Sequence, residues 1–282
     1  MKAGQKINMK YLIIGAGGTG GVTGYYMKKA GKDVTLIARG EHLKKIQKQG
    51  LTLEKMWDKT EENISIPATD MEHYAEHPDV IFVCVKGYSL QETIPFIKRI
   101  ARKNTIVIPV LNIYGTGGKM QKELPDFLVT DGCIYVSANI KEPGKLLQHG
   151  QILHIVFGVR DKAEFRPELK EIQKDLCDSH IDGTLSENIR REALEKFSYV
   201  SPIGAAGLYY HATAADFQKE GEARELFKTM VKEIAALAEA MGVPFQKDMA
   251  EVNLKILSNS HRKQPLPCSG ISWQENSPKL TD

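Results

Sequence analysis

Gly15, Gly17 and Gly20 stand in GxGxxG register inside "IIGAGGTGG". The spacing alone is a weak signal. Here it follows "KYLIIG", which reads as a short buried strand, and it opens a stretch over residues 18–30 that reads as a helix rich in small residues. In that context each glycine has a task. Gly15 permits a tight turn, Gly17 lets a pyrophosphate approach the backbone, and Gly20 lets the helix pack on the strand. The turn Gly15, Ala16, Gly17, Gly18, Thr19, Gly20 is therefore an expected dinucleotide site. Its helix N-terminus offers N–H groups and a positive dipole end to the phosphates. The plain alternative is a glycine turn that holds nothing.

Three more polar residues follow strand-like runs. A site that prefers NAD places an acid at the end of the second strand, about 20 residues after the glycines, to hold the ribose hydroxyls. "DVTLIAR" puts Arg39 there instead. A guanidinium grips a 2′-phosphate through charge-assisted bonds of about 1.5–3 kcal/mol each, which points to NADP. The alternative is an ordinary surface arginine. Lys86 follows a strand expected over 80–85, and Asn112 ends one expected over 106–111. Ligands of open α/β sheets bind beyond the carboxyl ends of the strands, so the glycine turn, Arg39, Lys86 and Asn112 can share one crevice.

A fifth candidate lies later. In "SENIRREALEKFSYV" Ile189, Ala193 and Val200 fall on one helical stripe, and Lys196 falls on it too. A buried ammonium is costly unless paired, and burial lowers a lysine pKa from about 10.4 toward the range of a proton donor. The pattern alone favours the other reading, a stem that covers the stripe while its head stays wet.

The elements that must position these groups change character along the chain. The first half alternates strand and helix: "HLKKIQKQG" and "SLQETIPFIKRIA" read as helices, and "DVIFVCVK" and "TIVIPVLN" as strands. The rhythm argues for a Rossmann-like, doubly wound α/β sheet. "KLLQHGQILHIVFG" reads as a hairpin with glycine at its turn. From about Thr184 only helical patterns remain. One carries Leu226, Met230, Ile234, Leu237 and Met241 and stops at Gly242, and another carries Met249, Val252 and Ile256. The expected organisation is a dinucleotide-binding domain over 9–185, a smaller all-α domain over 186–259, and an aberrant tail over 260–282.

Composition bounds the function. The chain has 282 residues, enough for two modest domains, with the apolar and charged content of a soluble globular protein. Its net charge of +3 gives no nucleic-acid footprint. Cys84, Cys133, Cys177 and Cys268 form no CxxC pair, so a metal or disulfide framework is not expected and a reducing cytoplasm is. No run reaches the ~18 apolar residues of a membrane span. Met9 reads as a natural start, which makes residues 1–8 an upstream extension or a floppy leader.

With these residues in view, the chain resembles the ketopantoate reductase (2-dehydropantoate 2-reductase) family from Met9 to about Asn259. The resemblance rests on "GAGGTGG", "LIARGEHL", "VCVKGYSLQ", "VLNIYG" and "NIRREALEKF". It implies NADPH-dependent reduction of a 2-oxo acid in a cleft between domains. It makes Lys196 the match for the family's catalytic and substrate-binding lysine, and makes Asn112 and Lys86 matches for residues that contact cofactor and substrate. The implied partner is a small 2-oxo acid, and a homodimer is compatible. Two other readings stay open: a non-catalytic NADP-binding pseudoenzyme or sensor, and a dehydrogenase running oxidatively.

Three departures bear on the substrate. Val200 and Gly204 stand where the family carries asparagines four and eight residues after the lysine, and its Asn-Gly pair is broken into "NIYG". These allow a 2-oxo acid other than ketopantoate. The third is the close, "SNSHRKQPLPCSGISWQENSPKLTD", which has no period and lacks the family's serine-bearing and glutamate-bearing segment. Back-translation of Pro265–Asp282, read from the third base of each codon, permits "SSMQRDxxAGKxSEIDG", which looks like that segment. The expectation is a single-base frame change near Ser260 that replaced the C-terminus. Impaired catalysis and exposed apolar helix faces would follow. A divergent genuine tail is the alternative.

Overall fold

The structure, a computed structural model, describes residues 9–213 and 215–259. The expected upstream extension and the expected displaced-frame tail lie outside the described residues. The first part of the chain runs β1 (Lys10–Ile14), α1 (Gly18–Lys29), β2 (Asp33–Ile37), α2 (Gly40–Gln49), β3 (Leu51–Lys55), β4 (Thr60–Ile64), β5 (Ala68–Thr69) and β6 (Val80–Val83). It continues with α3 (Leu90–Ile100), β7 (Ile106–Pro109), α4 (Thr116–Glu123), β8 (Leu128–Val129), β9 (Asp131–Glu142), β10 (Lys145–Gly158), α5 (Glu168–Asp178) and β11 (Asp182–Leu185). Three helices follow: α6 (Ile189–Tyr210), α7 (Glu222–Ala240) and α8 (Met249–Asn259). The chain divides into two compact units between Ala193 and Leu194, inside α6.

In the first unit a six-stranded sheet has the order β5-β2-β1-β6-β7-β8, with every pair parallel. Its strands are apolar on both faces because both faces are covered. Tyr11, Ile13, Val34, Leu36, Phe82 and Ile108 enter one core with α1 and α5. Leu12, Ile14, Ile37, Ile81, Val83 and Val107 enter the other with Ile94, Ile97 and Ile100 of α3. This is the expected doubly wound sheet. The strands end earlier than their apolar runs suggest: β6 stops at Val83 and β7 at Pro109, so Lys86 and Asn112 stand beyond the ladder.

A second sheet was not legible. It has the order β11-β10-β3-β4, with β9 also on β10. "KLLQHGQILHIVFG" is no hairpin but one strand, β10, antiparallel to β9 with a register shift between Gln148 and Leu153. The turn joining the two strands falls earlier, at Pro143-Gly144, where Gly144 takes φ +80°. Gly150 has an ordinary backbone and merely sits where the register slips.

Helix α1 packs on β9, β10 and β3 as well as on β1 and β2. That explains its small residues. A Cβ at Gly21 would press on the Leu146 side chain, and one at Gly24 on Leu36. At the amino end of β1, Lys32 and Tyr11 both reach Asp175 of α5, at 2.5 and 2.6 Å.

The second unit buries Ile203, Ala206, Phe217, Phe227, Val231, Met249, Ala250 and Leu257 together. The buried stripe of α7 is thus Phe227, Val231 and Ala238, turned by one residue from the expected one, and Leu237 is exposed. On α8 the buried residues are Met249, Ala250, Asn253 and Leu257, not Val252 and Ile256. Phe217, on the segment before α7, and the Asn253–Ser198 bond of 3.1 Å to α6 set these faces. Neither is visible to a helical wheel.

Candidate functional site

The glycine turn has the geometry its spacing promises. Gly15 has φ +103°, a region L side chains avoid, and its N–H and that of Ala16 both donate to the Ile37 carbonyl at the tip of β2, at 3.0 and 3.2 Å. Gly17 is the N-cap of α1 with no side-chain cap, and a Cβ there would meet nothing within 4 Å. Gly20 sits against the Gly15 carbonyl and the Cys84 and Ile13 side chains, leaving no room for a Cβ. Tight turn, open approach and close packing therefore fall on the three glycines as expected. The turn fits a dinucleotide pyrophosphate: the first turn of α1 carries no acidic residue, and the space on the Cβ side of Gly17 is open.

Gly18 has a task that the motif does not announce. The Ala138 carbonyl of β9 occupies the place of its Cβ, so the second sheet pins the start of α1. Thr19 contributes its carbonyl, which accepts from the Thr23 hydroxyl at 2.9 Å.

The other first-unit candidates line the same carboxyl edge. β2, β1, β6 and β7 are consecutive neighbours, and the strand order reverses at β1, which makes the space between β1 and β6 the switch point. Arg39 caps α2 just past β2 and is exposed, with Nη1 4.0 Å from the Glu92 carboxylate at the start of α3. Lys86 is exposed past β6, at the entry to a short 3-10 turn, Gly87–Ser89. Asn112 is exposed past β7. The tips interlock. Val110 N–H donates to Val83, Cys84 N–H donates to Ile14, and the Ile113 side chain lies over Gly87. Arg39 stands on the β2 side of the glycines, and Lys86 and Asn112 on the other.

Lys196 is half-buried on α6 and belongs to the second unit. Val200 and Gly204, where the resemblance expects asparagines, are buried.

Several neighbours went unread in the sequence. Tyr114, part of the "NIYG" departure, shares a side-chain hydrogen bond with Arg190, and burial raises its phenol pKa against that pairing. Asp131 accepts from the Gly117 and Gly118 amides of α4 and pairs with Arg160, yet burial raises its pKa. His42 bridges the Ala16 carbonyl and the Gly144 amide. No local motif marks any of these, since each partner is distant in sequence. Among the described residues, no His, Cys, Asp and Glu cluster could hold a metal ion, and no helix is long and apolar enough to cross a membrane.

Known proteins carry the same organisation. The family model "Ketopantoate reductase PanE/ApbA" matches residues 11–162, more than half of the chain, and its C-terminal counterpart matches 188–269, past the Asn259 at which the resemblance was expected to end. A 2-dehydropantoate 2-reductase of Pyrococcus horikoshii is 26% identical over 260 residues, 89% of this chain and 81% of that protein. A PanE/ApbA family ketopantoate reductase of Ralstonia eutropha JMP134 superposes with TM-score 0.82 at 22% identity, covering 93% of this chain and 84% of that one. D-mandelate dehydrogenase, solved with NADH and anilino(oxo)acetate, superposes equally well, TM-score 0.82 at 19% identity, covering 93% and 84%. With its glycine turn seated at the switch point and family models matching on both sides of Ala193, this chain belongs to the ketopantoate reductase family of oxidoreductases.

Proposed function

We propose that the protein reduces a 2-oxo acid with NADPH. The observation that carries the cofactor choice is Arg39. It stands at the tip of β2, where a NAD-preferring site keeps an acid, and its guanidinium is exposed beside the glycine turn. The D-mandelate dehydrogenase structure holds NADH, and the guanidinium at this tip is what favours NADPH for this chain. Gly15, Ala16, Gly17, Gly18, Thr19 and Gly20 hold the pyrophosphate through backbone amides, and Lys86 and Asn112 face the nicotinamide half. When bound, the cofactor supplies a hydride to the keto carbon. The Lys196 ammonium stabilises the charge growing on the keto oxygen and delivers a proton from Nζ, while Asn112 orients the carbonyl. The oxo acid in the D-mandelate dehydrogenase complex is consistent with this substrate class.

A second reading is a non-catalytic NADP-binding protein. It is favoured by Val200 and Gly204 standing in place of the two asparagines, and by the tail, if a frame change near Ser260 removed the family's last segment. A panel of 2-oxo acids including ketopantoate, run with NADPH and with NADH on this chain and on a frame-restored version, separates the readings. Reduction with NADPH, lost in Lys196→Ala while NADPH still binds, is the expected result. Binding without turnover in both versions favours the sensor. Resequencing codons 255–282 tests the frame change directly.

A further inference from the structure

The His42 ring sits between two backbone groups from different parts of the first unit. Its Nε2 lies 2.9 Å from the Ala16 carbonyl oxygen, within the glycine turn, and its Nδ1 lies 3.0 Å from the amide nitrogen of Gly144, in the β9–β10 turn. These partners fix the tautomer. Gly144 N–H donates, so Nδ1 must present a lone pair. Nε2 then carries the proton and donates it to Ala16.

The Ala16 carbonyl belongs to the peptide that ends in the Gly17 amide. A trans peptide is planar, so its C=O and N–H point in opposite directions. Drawing the Ala16 oxygen toward α2 aims the Gly17 N–H away from α2. Gly17 is the residue whose surroundings are open and whose amide begins α1.

We propose that His42, in its neutral Nε2–H form, is a positioning residue that orients the Ala16–Gly17 peptide so that the Gly17 amide faces the dinucleotide pyrophosphate. The assignment rests on the reading of the glycine turn as a dinucleotide site.

It predicts a pH dependence. A second proton would sit on Nδ1 and oppose the Gly144 N–H, two donors face to face. Burial lowers the His42 pKa, opposed by the Ala16 bond, so the neutral form persists below the usual histidine range. Most of the charged groups on the elements around the ring pair with one another. On α2, Glu41 and Lys44 pair with each other, and the Lys45 stem lies beside Gly144. On the β9–β10 hairpin Lys141 pairs with Glu54, Lys145 pairs with Glu54 and Glu61, and Glu142 precedes the turn. Arg39 faces Glu92, and the glycine turn carries no charge.

The test titrates NADPH into the full chain and three variants, with a melting curve for each. Glutamine overlays its amide nitrogen on Nε2 and keeps the donor to Ala16. Asparagine overlays its oxygen on Nδ1 and keeps only the acceptor for Gly144. His42→Gln is expected to bind within about twofold of the parent, and His42→Asn and His42→Ala about three- to tenfold more weakly. The parent should lose more affinity than His42→Gln as pH falls below the usual histidine range, beyond the loss both share when the 2′-phosphate takes up a proton. Equal binding by all four, weaker binding by His42→Gln than by His42→Asn, or an unchanged acid loss in His42→Gln would each overturn the proposal. A parent that binds neither NADPH nor NADH would overturn the dinucleotide reading itself, which indifferent variants of a binding parent would not.

Discussion

The Ala138 carbonyl of β9 fills the place that a Cβ on Gly18 would take. The second sheet therefore reaches the first turn of α1, where a dinucleotide's phosphates are expected, and the glycines of that turn divide into two kinds. Gly18 and Gly20 are glycine because protein occupies the space, whereas Gly17 faces open space.

Substitution should separate the two kinds. Gly18→Ala and Gly20→Ala must displace backbone carbonyls and should cost about 1–3 kcal/mol of stability or more in denaturant unfolding. Gly17→Ala has an ordinary backbone, φ −75°, and should cost under about 1 kcal/mol. Its methyl group intrudes where the pyrophosphate approaches, so NADPH affinity should fall about tenfold or more. Equal melting of all three variants would contradict the packing described here.

Arg39→Ala should weaken NADPH binding about 10- to 100-fold and leave NADH nearly unchanged, because the proposed partner of the guanidinium is the 2′-phosphate, which NADH lacks. Glu92 competes for that guanidinium from 4.0 Å across an exposed edge. Glu92→Gln should therefore tighten NADPH by about two- to threefold, an effect that shrinks with added salt. Calorimetry with both cofactors at low and high salt checks both statements.

Lys32, Tyr11 and Asp175 form a largely buried cluster at the opposite end of β1 from the glycine turn. Asp175→Ala leaves the ammonium only Asp178, 3.4 Å away, and takes the acceptor from Tyr11; it should destabilise by about 1–3 kcal/mol, measured by urea unfolding, without changing NADPH affinity in the folded protein. The cluster also sets an alkaline limit. Burial opposes the Lys32 charge, but Asp175 and Asp178 outweigh it and raise its pKa. Burial, and then the Asp175 bond, raise that of Tyr11. Groups raised in the fold contribute stability that is complete below their unfolded values, about 10, and lost as pH climbs past them. Unfolding above about pH 10 should be steep in the parent and shallower in Tyr11→Phe.

The sequence by itself determined whatever is local. A strand, a GxGxxG turn and a small-residue helix are neighbours in the chain, so the turn, its three glycine tasks and the Arg39 position could be read from residues 10–39. The near-continuous apolar runs marked strands covered on both faces, as in a parallel sheet. Strand ends were overrun, because Cys84, Val85, Val110 and Leu111 continue the apolar pattern after the ladder has stopped. Tertiary structure alone decided the rest. β9 and β10 pair along their lengths, and whether Gly150 or Gly144 makes the turn depends on cross-strand register, to which the glycine itself is indifferent. The faces of α7 and α8 turned with the arrival of Phe217 and Asn253. Gly18 and His42 took their roles from Ala138 and Gly144, more than a hundred residues away, and a contact closed over that distance leaves no period in the chain for a reader to find.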